Sequence, residues 1–68
     1  MNKEDSLRAI LIEWFRLPAK DRENQRHAED FAMAVRTKFP DLYKFKYPGG
    51  DKYQAINGYL IRHGRLKY

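Results

Sequence analysis

Cysteine is absent from the 68-residue sequence. That excludes a disulfide staple, a thiolate zinc site, an iron–sulfur cluster and a cysteine nucleophile, and it removes any argument for an oxidising compartment. The cytoplasm is the expected location. Long apolar runs are missing too. Ala9-Ile10-Leu11-Ile12 and the five residues from Phe31 to Val35 are both far short of the roughly 20 residues that span a bilayer, and the acidic Glu4-Asp5 start is unlike a signal peptide. No membrane partner is expected. Serine occurs once, as Ser6, at the start of a predicted helix where a hydroxyl acts as a local cap, so no hydrolase triad can be argued from it.

Histidine is nearly as scarce. His27 follows Glu23 by four residues, but metalloprotease chemistry needs two histidines at that spacing with the glutamate next to the first. The plain reading is a helix-surface residue paired with Glu23, and His63 reads as a polar residue in a helix's last turn. Pro48-Gly49-Gly50-Asp51-Lys52 lacks the glycine–lysine–hydroxyl spacing of a phosphate-binding loop and reads as a tight turn entering a capped helix. With no catalytic constellation, the chain is expected to be neither an enzyme nor the carrier of a metal or cofactor.

What is present is charge and aromatic side chains, unevenly spread. Residues 1–34 carry six bases and seven acids, a net of −1, whereas residues 35–68 carry eight bases and two acids, a net of +6. Seven of the ten aromatics (Phe39, Tyr43, Phe45, Tyr47, Tyr53, Tyr59 and Tyr68) also lie in the second half. This asymmetry predicts an anionic partner facing the C-terminal half. The length fits one small soluble domain, residues 1–68. A chain of this size buries only about 60% of the surface its unfolded state exposes, so a partner or second copy would add stability.

Two helices are expected in the first half. Leu7, Ile10, Leu11 and Trp14 recur at the spacing that stacks side chains on one face, from about Glu4 to Leu17, with Ile12 and Phe15 widening the stripe so that this helix becomes the most buried element. Asn2 caps it, Glu4 and Asp5 suit the positive end of its dipole, and Pro18 stops it. Ala28, Phe31, Ala32, Val35 and Phe39 form the inner face of a second helix ending near Lys38. Its start is open between an Asp21 cap and an Asn24 cap, because Lys20 to His27 contains no apolar residue.

The fold class turns on residues 42–68. In the preferred reading the protein is mostly α, a small three-helix domain with an extended aromatic connection before the last helix. Asp51 and Gln54 then make a capping pair, Tyr53, Ile56, Asn57 and Leu60 line the inner face, and Gly64 is a left-handed cap with Leu66 as its apolar contact. The alternative is α+β, two helices followed by an antiparallel meander turned at Pro48–Asp51, Asn57-Gly58 and His63-Gly64. The expected core is Leu11, Trp14, Phe31, Val35, Ile56 and Leu60.

Stepping 100° per residue along the third helix places Gln54, Ala55, Gly58, Tyr59 and Arg62 on its outer face. Ala55 and Gly58 allow close backbone approach. Gln54 and Arg62 have side chains able to read adenine and guanine edges, and Arg65 and Lys67 can hold phosphates. Lys44, Lys46 and Lys52 interleave with Tyr43, Phe45, Tyr47 and Tyr53, the mixture of ammonium groups and rings suited to single-stranded nucleic acid. Extended alternation puts the aromatics on one side and the lysines on the other, with Phe45 covering the core. The order of elements resembles helix-turn-helix DNA-binding domains in architecture, but the connection from Phe39 to Gly50 is far longer than that motif's turn of about 3–4 residues. The sequence therefore suggests a small DNA-binding regulatory or accessory protein, with RNA a further target and a homodimer a natural assembly. The competing reading is an interaction module or inhibitor that docks the same basic, aromatic surface, with Tyr43, Tyr47 and Tyr59 as contacts, on an acidic protein.

Overall fold

Residues 2–67 are described by the computed structural model, and they form three helices with no strand among them: α1 (Lys3–Phe15), α2 (Gln25–Lys38) and α3 (Lys52–His63). Single 3-10 turns at Ala19–Asp21 and Pro40–Tyr43 occupy the connections. The mostly α reading holds and the meander does not occur, since Asn57 and Gly58 sit inside α3. No helix among the described residues is long and apolar enough to cross a membrane.

Each helix begins where a side chain satisfies backbone N–H groups that have no partner within the helix. Asn2 Oδ1 accepts from the Asp5 N–H at 2.8 Å. For α2 the cap is Asn24, whose Oδ1 accepts from the His27 N–H at 3.0 Å. Asp21 belongs instead to the preceding 3-10 turn. His27 does not reach the Glu23 carboxylate in this arrangement; its Nδ1 accepts from the Glu23 backbone N–H at 3.1 Å. Asp51 Oδ1 accepts from the N–H groups of Tyr53 and Gln54 at 2.9 and 3.4 Å. Ahead of Pro18, α1 closes with Arg16 and Leu17 donating to the carbonyls of Glu13 and Trp14, each at 3.1 Å.

Packing selects a narrower stripe of α1 than its sequence offers. Leu7, Ile10 and Trp14 are buried, but Ile12 is 59% exposed and Phe15 36% exposed, and Leu11 lies at the core's edge. Helix α1 nevertheless has four buried residues, as many as α2 and more than α3, and it packs chiefly on α3 and the Pro40–Tyr43 turn. Helix α2 buries Ala28, Phe31, Ala32 and Val35 against α3 and that same turn. Ile56 and Leu60 of α3 are wholly buried between them. Aromatic edges organise the centre, with the rings of Trp14 and Phe31 5.5 Å apart at 74°, a geometry that matches one ring's positive edge to the other's negative face.

The extended connection alternates as expected. Phe45 is 1% exposed, Tyr43 and Tyr47 are half-buried against the core, and Lys44 and Lys46 point to solvent. At the C-terminal end one expectation is corrected. Gly64 is not left-handed (φ −82°), and the left-handed residue is Arg65 (φ +55°). Glycine is required at 64 for another reason: a Cβ there would collide with the Leu60 carbonyl oxygen and stand 2.8 Å from Trp14 Nε1. The closeness is used, because Trp14 Nε1 donates to the Gly64 carbonyl at 3.1 Å. Leu66 still packs on the core, and the Lys67 N–H donates to the Glu23 carbonyl at 2.7 Å, tying the tail to the start of α2.

Candidate functional site

Residues 54, 58 and 62 recur every four positions on α3, and Lys3 and Leu7 do so on α1, so each set presents one line of side chains. The two lines meet. Lys3, Leu7, Tyr47, Gln54, Ala55, Gly58 and Arg62 border a depression of about 200 Å³. Past Lys3, Leu7 and Arg62 it adjoins a second depression, of about 300 Å³, bordered also by Glu4, Arg8, Tyr59 and His63. Ala55 and Gly58 keep the floor low. A Cβ added at Gly58 would meet only Arg62 Nη1, at 3.7 Å, so the guanidinium folds back across the glycine.

The electrostatics of this groove are cationic. The Lys3 ammonium stands 4.7 Å from the centre of the Tyr47 ring, a cation–π contact that holds both walls in place. Arg8 reaches Glu4 only at 4.0 Å with both side chains largely in solvent, an ion pair worth little at such exposure. The Tyr59 and His63 rings are 4.6 Å apart on the adjoining rim. The Gln54 amide supplies both a donor and an acceptor. An anionic chain can place a phosphate between Lys3 and Arg62, with a base edge or sugar near Gln54.

The residues expected from sequence fall into separate places. Gln54, Arg62 and Tyr47 come together in the groove, and Tyr59 lies in its extension. Lys46 is exposed on the outer side of the connection that carries Tyr47. Lys52 is engaged internally: its Nζ donates to the Tyr43 carbonyl at 2.8 Å and lies 5.1 and 5.4 Å from the centres of the Tyr43 and Phe45 rings. Lys44 pairs with Asp41 at 3.4 Å on the surface. Arg65 and Lys67 follow the last turn of α3 and line neither depression, and Lys67 Nζ is 3.3 Å from Glu23 Oε2. Tyr43 lies elsewhere, beside Met33 and Tyr53.

Lys3, Leu7 and Arg8 were not among the expected site residues, because tallying charge by halves set the first helix aside. The available signal was local: Lys3 and Leu7 are four apart at the start of an amphipathic helix, so the lysine shares the flank of a core residue. Tyr53 has its hydroxyl pKa pushed up, first by loss of hydration and then by the negative charges of Glu29, Asp30 and Asp51. No family model, curated protein sequence or solved structure matches the chain.

Proposed function

We propose that the protein binds nucleic acid, DNA in the first instance, through the groove between α1 and α3, as a regulatory or accessory factor without catalytic chemistry of its own. One observation carries this reading: Lys3 and Arg62 border the same depression from different helices, over a floor made low by Ala55 and Gly58. Phosphates neutralised by these side chains release condensed counterions, which drives association without sequence preference. Gln54 is the residue placed to discriminate bases, and Arg8 and Lys46 extend the positive field along the backbone. The formal charge of +5 favours the same partner, with RNA recognised through the same phosphate chemistry.

The test is fluorescence anisotropy with labelled duplex and single-stranded oligonucleotides across a salt series. Each phosphate contact on a duplex contributes about 0.9 to the slope of log affinity against log salt, so Lys3→Ala and Arg62→Ala should each flatten it by about that amount. Gln54→Ala should reduce discrimination between sequences and leave the slope in place. Absence of binding at low salt, or slopes indifferent to both charge deletions, would refute the proposal.

A further inference from the structure

Met33 is 67% exposed, the most exposed large apolar side chain among the described residues. It borders a mainly apolar depression of about 400 Å³ with Ala32, Arg36, Tyr43 and Tyr53. Two opposite charges flank Met33 along α2: Arg36 borders the depression, and Glu29, one turn before Met33, has its negative charge acting on the Tyr53 hydroxyl. Glu29, Met33 and Arg36 are spaced i, i+4, i+7 and so share one face of α2. Among the described residues neither Glu29 nor Arg36 takes part in an ion pair.

That order, acid then methionine then base, is complementary to itself when reversed. The midpoint between positions 29 and 36 falls between Ala32 and Met33. We propose that this face binds a second copy of the chain, the two α2 helices running antiparallel about a two-fold axis beside Met33. Each Met33 enters the other copy's depression, and each Glu29 faces the other copy's Arg36. A two-fold interface demands this reciprocity, since every contact is made twice. A domain of 68 residues gains core area it cannot build alone. Tyr53 and Arg62 are nine residues apart, half a turn around α3 at 100° per residue. The dimer therefore leaves both α1/α3 grooves open, and the inference stands whether or not they bind nucleic acid.

Sedimentation equilibrium over a concentration series tests this in the absence of any ligand. The wild-type chain should move from 8.2 kDa toward twice that mass. Met33→Lys, Glu29→Arg and Arg36→Glu, all at exposed positions, should each raise the dimer dissociation constant about tenfold or more, the first because an ammonium then enters an apolar depression twice, the other two because like charges then meet twice in every dimer. Glu29→Arg and Arg36→Glu chains mixed in equal amounts should associate again, as a heterodimer with both ion pairs reinstated, one in the original sense and one reversed. A wild-type chain that stays monomeric throughout, variants that associate as well as wild type, or a mixture that fails to recover would each overturn the proposal.

Discussion

Gly58 and Gly64 should respond to alanine with opposite signs. At Gly58, in the middle of α3, a methyl group finds only the Arg62 guanidinium at 3.7 Å, an ordinary contact. The substitution narrows the unfolded ensemble and favours the helix, which should stabilise the domain by about 0.4–1 kcal/mol. At about 4–8 °C per kcal/mol for a domain this small, Tm should rise by about 2–8 °C. Gly64 is also at negative φ, so alanine there gains the same backbone entropy, but its methyl would strike the Leu60 carbonyl oxygen and crowd Trp14 Nε1 at 2.8 Å. Relieving the overlap moves the tail and leaves the buried indole N–H unpaired, at a cost of about 1–3 kcal/mol. Lost packing beneath Trp14 adds to that, and a net loss near 2 kcal/mol should lower Tm by about 8–16 °C. Thermal unfolding followed at 222 nm reads both. A destabilised Gly58→Ala would mean that α3 is not continuous through residue 58, and a Gly64→Ala chain as stable as wild type would refute the tryptophan contact.

Three further expectations concern single side chains. Ser6 is fully buried and its Oγ has no hydrogen-bond partner, so Ser6→Ala should raise the urea midpoint by the equivalent of about 1 kcal/mol with an unchanged m-value; a lowered midpoint would show that the hydroxyl is satisfied. Lys52→Ala removes a charged donor from the Tyr43 carbonyl and should cost about 1.5–3 kcal/mol in chemical unfolding. It should also leave the salt slope of DNA binding intact, because that ammonium is occupied within the fold. The Tyr53 hydroxyl has a raised pKa in the folded state, so the folded protein holds this proton more tightly than the unfolded chain. Its contribution to stability is complete below the ordinary tyrosine value of 10.0 and is lost as pH rises through the folded value. Urea titrations at increasing alkaline pH should show a shallower decline in Tyr53→Phe than in wild type.

Features set within four or five residues were legible in the sequence. The caps at Asn2 and Asp51 each answer a local need of the helix start, Asn24 was one of two candidates for α2, and the alternation from Tyr43 to Tyr47 follows from the period of extended chain. Tertiary placement was not legible. Nothing local says that α1 would be covered only along Leu7, Ile10 and Trp14, leaving Ile12 in solvent. Nor does Gly64 announce that Trp14, 50 residues earlier, removes its room for a side chain. The site divides in the same way. Gln54 and Arg62 were found by stepping around one helix, whereas Lys3 joins them only because α1 packs on α3. Lys52 and Lys67 looked free in the sequence because Tyr43 and Glu23, which engage them, come from other segments.

Trp14 is the chain's single tryptophan, and its indole joins α1 to the last turn of α3 through the Gly64 carbonyl. All tryptophan emission therefore originates at the junction where the C-terminal end is fastened down. A red-shifted spectrum at undiminished helical ellipticity would register release of that end alone. If both signals change together, the tail opens only with the whole domain, and the unlabelled protein suffices to tell the two apart.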